Sequence, residues 1–414
     1  MIQRARGQPI GPSFVSLAVS AALLAVGFCP LPDGALRSVL ESARSPEMNR
    51  AEREANAGGY YEGLIGEAGG RQGARGELAL RLLGKPSEWS HFSEAQVTRP
   101  LPGDLLQFEL LPNQKAMLFG QPFTTNADCM RDKPYPLAKP AGVFRVAILG
   151  SSMDMGWGVS TTETYENRLE YWLNSHALQR HIPRQFELLN FSMAAYGPVQ
   201  RLASFERKAV AYHPDAVFYS ATMLDLRLLE IHVCDLLRGR VDLGFDFLKK
   251  AVAEARLTTD DLALDATGQL THKDVIKAKL RPHYWEIVDG ALTLLAADCD
   301  SAGISLYCLI IPRVGKADAP EERAAAVAQH KAIAKRHGIP VFDLSGTFDH
   351  RDPATIEIAA WDDHPNALGH TLLFRSLAQA IVSNPATYET MFGAALPDAR
   401  ELARIEKQYA GHPK

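Results

Sequence analysis

The chain is poor in features that would mark a metal site or a nucleic-acid surface. Its five cysteines, Cys29, Cys129, Cys234, Cys299 and Cys308, include no Cys-x-x-Cys pair. A thiolate zinc site therefore has no framework, and no metal or other cofactor is expected. Basic residues form no cluster: 44 Lys and Arg stand against 48 Asp and Glu, a net charge of −4. Phosphate binding needs a concentrated basic face, so no nucleic-acid partner is expected. The odd cysteine count leaves room for a disulfide in an exported protein without specifying one.

Long apolar runs are also scarce. One uncharged stretch, residues 11–32, is apolar mainly over 14–28 and follows Arg4 and Arg6. It is slightly shorter than the roughly 20 residues of a spanning helix. The layout is that of a secretory signal or short membrane anchor, and it places the rest of the chain in the periplasm or exterior. Cys29 lacks the small preceding residues of a lipoprotein signal.

What is present is an ordinary globular composition, 46% hydrophobic and 22% charged, over 414 residues, more than one typical domain. After the 1–32 leader, residues 33–90 read as a helical lead-in or stalk, and 91–140, with several prolines and short alternating runs, as a small β-rich segment. A regular pattern fills 141–385, and 386–414 reads as a helical tail. Within 141–385, apolar runs at 144–149, 186–191, 215–220, 304–311 and 339–343 predict parallel strands covered on both faces. Helical spacing separates them: Tyr165, Leu169, Trp172 and Leu173 share one face, Leu202, Phe205, Ala209 and Tyr212 another, and Leu372, Leu373, Leu377, Ala380 and Ile381 mark the last helix. The alternation predicts a three-layer α/β/α domain with right-handed crossovers and a ligand at the carboxyl ends of the strands. The long connection at 226–290, with helical segments at 246–257 and 278–297, reads as a lid or substrate wall, or equally as a plain helical hairpin.

Three stretches carry chemistry together. Residues 144–159 form an apolar run ending in Gly150-Ser151-Ser152, followed by Gly156 and Gly158. Residues 188–200 read Leu-Leu-Asn-Phe-Ser-Met-Ala-Ala-Tyr-Gly-Pro-Val-Gln. Residues 361–370 read Trp-Asp-Asp-His-Pro-Asn-Ala-Leu-Gly-His. A strand that stops at Gly-Ser and turns into a helix exposes a hydroxyl at the sheet's carboxyl edge. A serine hydroxyl is a weak nucleophile until a base takes its proton, and histidine, which titrates near neutrality, suits that work. Ser152 is the candidate nucleophile, His364 the base and Asp362 the orienting carboxylate. Asp363, adjacent to His364, is expected to face solvent or cap the next helix.

The order and wording of these blocks resemble the SGNH, or GDSL-type, hydrolase superfamily. The matches are Gly150–Ser152 for its Gly-Asp-Ser block, Asn190–Ala195 for Asn-x-x-x-x-Gly, Thr222–Asp225 for Gly-x-Asn-Asp and Asp362–His364 for the Asp/His block. The resemblance spans about residues 141–385 and implies a flavodoxin-like parallel sheet and an acyl-serine mechanism. Residues 124–132 are similar to a segment that leads into the first strand in exported members. Two positions depart from the pattern. The family's second-block glycine falls at Ala195, whose backbone amide can still donate beside that of Ser152 to an oxyanion. The third-block asparagine falls at Leu224, which has no donor, so Thr222, or Arg227 as a substrate-binding residue, is the expected substitute. The spacing Asp-x-His, rather than the commoner Asp-x-x-His, makes Asp362 the choice.

The resemblance implies an exported serine esterase acting on an acyl ester, with O-acetyl groups on a glycan as one substrate class. The alternatives are a polysaccharide O-acyltransferase with the same triad and a non-catalytic binding protein on the same fold. Asn190, Asp225, Asp343 and His370 are expected to be structural, and Met153, Met155 and Trp157 to pack, with an acyl-pocket lining as a further role.

Overall fold

The apolar runs form a single parallel sheet, and its strand order follows from how the helices between them are shared. The structure, a computed structural model, describes residues 96–398 apart from 119, 267, 316–319, 360 and 361. The expected leader (1–32), lead-in (33–90) and the tail beyond 398 lie outside the described residues, as do Arg4, Arg6, Cys29 and Trp361. Among the described residues no helix is long and apolar enough to cross a membrane, and Cys129, Cys234, Cys299 and Cys308 are all free thiols.

Two short antiparallel hairpins come first: β1 (Thr98–Pro100) with β2 (Phe108–Leu110), and β3 (Lys115–Leu118) with β4 (Gln121–Thr124). The central sheet then runs through β5 (Val143–Leu149), β6 (Gln185–Asn190), β7 (Ala216–Thr222), β8 (Ser305–Ile311) and β9 (Val341–Asp343), in the spatial order β6-β5-β7-β8-β9, every neighbour parallel. This is the flavodoxin-like doubly wound order, in which the crevice above the carboxyl ends opens where the winding reverses, here between β5 and β7.

Side chains alternate across the sheet and so build two cores. Val146 and Ile148 of β5 pack on one face with α2 (Tyr165–Gln179), which follows the short α1 (Ser152–Met155), and with the late helices α10 (Ala367–Val382) and α11 (Pro385–Phe392). Ala147 and Leu149 pack on the other face with α3 (Pro198–Arg207), α4 (Asp225–Arg238) and α7 (Tyr284–Ser301). Between α4 and α7 lie α5 (Asp246–Glu254) and α6 (Lys273–Leu280). The connection at 226–290, read as a lid or substrate wall or equally as a plain helical hairpin, is mostly a thickened layer of this second core, with Leu236, Leu248, Ile276 and Leu280 fully buried. The helix expected over 278–297 breaks at Arg281–His283, where Pro282 cannot donate to the preceding turn. α8 (Pro320–Arg336) crosses from β8 to β9. α9 (Pro353–Ile356) leads into a third hairpin, β10 (Glu357–Ala359) with β11 (Asp362–Pro365).

The amino end of the sheet is fastened by one buried cation. Arg145 is fully buried in β5. Its guanidinium donates to Glu187 Oε2 (2.6 Å) and to the carbonyls of Leu137 (3.0 Å), Pro136 (2.5 Å) and Tyr212 (2.9 Å). It therefore joins the incoming 124–142 segment, β6 and the end of the α3 connection. Arg145→Met leaves three carbonyls and a carboxylate without their donor. Removing one partner of a buried charge pair costs about 3–5 kcal/mol. Urea titration should show a loss of that order, and a loss below about 1 kcal/mol would contradict this fastening role.

Candidate active site

Three side chains from the two ends of the domain meet at the carboxyl edge of β5. The chain leaves β5 at Gly150 and enters α1 at Ser152. A Cβ at Gly150 would overlap the Asp154 carboxylate, so only glycine lets the turn close this tightly. Asp154 Oδ2 accepts the Ser151 amide (2.8 Å) and Oδ1 the Tyr165 hydroxyl (2.7 Å). Burial raises the Asp154 carboxyl, while those bonds and the nearby Arg201 and Ser220 oppose the rise.

His364 lies on β11, two residues before the α10 cap. There Asn366 Oδ1 accepts the amides of Leu368 (2.9 Å) and Gly369 (3.1 Å), which fixes where the strand ends. His364 Nε2 is 2.7 Å from Ser152 Oγ, and Nδ1 is 2.5 Å from Asp362 Oδ1. The same Asp362 oxygen accepts the His364 amide at 3.1 Å. The other oxygen accepts the Trp157 indole N–H at 2.9 Å, and the indole stacks over the imidazole at 5.2 Å. Burial alone would raise the Asp362 carboxyl. The adjacent imidazole and these hydrogen bonds outweigh it and hold it below the usual carboxylate range. Asp363 turns away and pairs with Arg313, which follows the end of β8. Ser152 is only 2% exposed, so the site is nearly closed.

Trp157 was expected to pack; it also completes the shell of Asp362. The signal for it is the wording Gly156-Trp157-Gly158, since both glycines are left-handed (φ 81° and 68°) and re-aim the chain on either side of the indole. Arg131 holds the same loop. It donates to the carbonyls of Met155 (2.7 Å), Gly156 and Val159 from beneath Phe123, whose ring centroid lies 4.9 Å away. Burial lowers its guanidinium to about 10, which leaves it charged at neutral pH.

The oxyanion candidates separate. Met193 N donates to Gly150 O (3.4 Å), which brings the loop carrying Ala195 beside the turn carrying Ser152. Ala195 adopts φ 64°, a left-handed conformation that favours glycine. Among the described residues neither the Ser152 nor the Ala195 amide meets a protein acceptor, although both residues are buried. Thr222 departs from its expected role. Its hydroxyl proton goes to Asp225 Oδ1 (3.0 Å) and its oxygen accepts the Leu224 amide (3.2 Å), so it braces the turn and has no proton left to give. Leu224 sits in the apolar core of that face, and Arg227 is half-buried on the first turn of α4.

The remaining residues hold the scaffold. Asn190 donates to Asp154 O (2.8 Å) and accepts the Ser192 amide (3.0 Å). Asp225 faces the buried Arg201 at 2.8 Å. Asp343 accepts the Ser345 amide (3.0 Å) at the end of β9. His370 Nδ1 accepts the Tyr165 amide (3.2 Å) and the ring stacks on Tyr165. Two groups among the described residues are close enough to share a cation, Asp362-Asp363-His364 and Glu254-His283-Glu286. In the first, each donor is already engaged by the partners named above. The second brings His283 Nδ1 to 3.7 Å from Glu254 of α5 and 3.2 Å from Glu286 of α7.

No family model matches the chain, and no curated protein matches it. Solved structures that it resembles include LAE5, an α/β hydrolase from the metagenome of Lake Arreo in Spain (19% identity, 57% of this chain and 94% of that one, TM-score 0.35). TesA matches at 12% identity over 57% and 97%, with TM-score 0.35. A catalytic mutant of Axe2, an acetylxylan esterase from Geobacillus stearothermophilus, matches at 15% over 57% and 94%, with TM-score 0.37.

Under the site lies a further buried carboxylate, Asp132. Asp132 Oδ2 accepts the Asn190 amide (3.0 Å) and the Tyr135 hydroxyl (3.1 Å), and Oδ1 accepts the Lys133 amide (2.7 Å). Burial, with Glu170 nearby, raises it to about 7 against the hydrogen bonds. The folded protein thus keeps a proton that the unfolded chain releases near pH 4. This contribution to stability is present below about pH 4 and is lost as pH rises toward 7. Asp132→Asn cannot titrate there. Relative to wild type, its unfolding midpoint should improve between pH 4.5 and pH 7.5; a difference that stays constant would show that Asp132 does not titrate in this window.

Proposed function

We propose that the chain is a serine esterase of the SGNH type that cleaves a short acyl ester through an acyl-serine intermediate. The observation that carries this reading is the continuous line Ser152 Oγ–His364 Nε2–Asp362 Oδ1, at 2.7 and 2.5 Å, across buried residues. His364 takes the Ser152 proton as Oγ attacks the acyl carbon. The amides of Ser152 and Ala195 receive the oxyanion. The imidazolium, stabilised by Asp362, then protonates the departing alcohol and leaves the acyl group on Ser152. Water enters, gives a proton to His364 and attacks the acyl carbon. The tetrahedral adduct collapses, His364 returns its proton to Ser152 Oγ, and the acid departs.

The near-closed setting of Ser152 favours a small acyl group, and the resemblance makes O-acetyl esters on a glycan the first class to assay. The hole has two backbone donors and no side-chain donor at Leu224. One donor is typically worth about 10²–10³ in rate, so a modest turnover is expected.

A fluorophosphonate should modify Ser152, as read by peptide mass spectrometry, and Ser152→Ala should neither label nor hydrolyse acetyl esters. An adduct on another serine would overturn the assignment. The two aspartates divide the prediction further. Asp362→Asn removes the partner of Nδ1 and should lower kcat by about 10³-fold or more, whereas Asp363→Asn, which loosens only Arg313, should stay within about tenfold. Equal losses would count against Asp362 as the orienting group.

A further inference from the structure

The Ala195 amide is useful only if the peptide around it is held still, and φ 64° is a conformation that an alanine resists. The neighbouring amides are anchored: Ser192 to Asn190 Oδ1, Met193 to Gly150 O and Tyr196 to Met193 O. The carbonyl of Ala195 itself is taken by a residue from a different part of the chain. His232, buried on α4, places Nε2 2.6 Å from Ala195 O. Its Nδ1 faces the Gln107 side-chain Oε1, while Gln107 Nε2 donates to the His232 carbonyl at 3.1 Å. Phe108 stacks on the imidazole at 6.3 Å and meets Tyr196 edge-on at 5.5 Å, while the Tyr196 hydroxyl donates to Phe108 O at 2.6 Å. The turn after Ala195 presses on α4 as well, since a Cβ at Gly197 would lie 3.3 Å from Leu228 Cβ and 3.6 Å from the His232 ring.

Ala195 O can only accept, so the proton of a neutral imidazole must sit on Nε2. Burial pushes His232 down to about 4, so the ring is neutral at pH 7. Nδ1 then carries a lone pair, so Gln107 serves it as a donor only with its amide turned over, NH₂ on Nδ1 in place of Oε1 and its bond to the His232 carbonyl given up.

We propose that His232 is a positioning residue: held by Gln107 of the β1–β2 hairpin, its Nε2–H clamps the Ala195 peptide so that the Ala195 amide points at the developing oxyanion. The inference rests on the esterase reading, and it gives the α4 layer and the first hairpin a role in transition-state stabilisation though neither touches the substrate. Only the alignment of a donor is at stake, so the loss belongs in kcat rather than KM.

Three variants of the full chain test it. His232→Leu removes the donor. His232→Gln restores an N–H close to the Nε2 position. Gln107→Met loosens the imidazole from outside the core. With a short acetyl ester, His232→Leu should lower kcat by about ten- to a hundredfold, a fraction of the loss of a whole donor, with KM changed less than about threefold. His232→Gln should recover most of the loss, and Gln107→Met should fall between wild type and His232→Leu. Unchanged kcat in folded His232→Leu would overturn the proposal, as would equal losses in the Leu and Gln variants. If His232→Leu does not fold, unchanged kcat in Gln107→Met overturns it. Fluorophosphonate labelling of wild-type Ser152 keeps the two readings apart: absence of label and of turnover in wild type defeats the esterase reading itself, whereas an active wild type with indifferent variants defeats only the clamp.

Discussion

The carboxylate of Asp154 is the constraint on which the arrangement depends. It fills the space where any side chain at position 150 would stand, and it caps the amide of Ser151. It thereby fixes the backbone that presents Ser152. Its second oxygen takes the Tyr165 hydroxyl from α2, and its carbonyl takes the Asn190 amide side chain from the end of β6. Ser220 of β7 and Arg201 of α3 act on the same carboxylate. One buried acid is thus satisfied from strands and helices on both faces of the sheet. Burying it would be prohibitive without those partners, so the nucleophile's turn can form only when the two layers have docked.

The same logic continues along the edge. Arg201, buried beside Tyr219, faces Asp225 at 2.8 Å, and His330 of α8 approaches Asp225 at 3.9 Å. Asp225 in turn holds the Thr222 amide and hydroxyl (3.2 and 3.0 Å). The turn after β5 and the turn after β7 therefore share a chain of charge running under the crevice. Such pairs contribute little net stability, because desolvation offsets their attraction. They link the turn after β5 to the turn after β7, the first of which carries Ser152.

The sheet was legible because a strand covered on both faces needs a continuous apolar run whatever its neighbours are. Each run predicted at 144–149, 186–191, 215–220, 304–311 and 339–343 overlaps an observed strand. Ser152, His364 and Asp362 could be named from local wording, since Gly-Ser before a helix and Asp-x-His before a helix cap are short-range signals. What decides among neighbouring residues was not local. Asp363 is drawn off by Arg313, and Asp362 is held by Trp157, from 205 residues away in sequence. Thr222 was a reasonable donor by type, yet a carboxylate three residues on claims its proton. His232 carried no signal in the sequence, and Arg131 none beyond its place in the 124–132 segment, because each makes its contacts with backbone carbonyls that tertiary packing brings to it.

Ala195 holds a backbone conformation that favours glycine. A left-handed alanine costs roughly 1–2 kcal/mol where glycine costs nothing, and strain of this kind persists only where the surroundings over-determine it. Here they do: the loop is pinned to Gly150 at one end, pressed against α4 at Gly197 and tied at its carbonyl to His232. Rotation away from φ 64° must break the His232 contact or move the pinned ends. Where Leu224 offers no third donor, a rigid second one is the physical alternative, since electrostatic stabilisation of an oxyanion depends on donors that need not reorganise as the charge develops. On the proposed clamp, the helix layer after β7 and the first hairpin would act on the site through the backbone of Ala195.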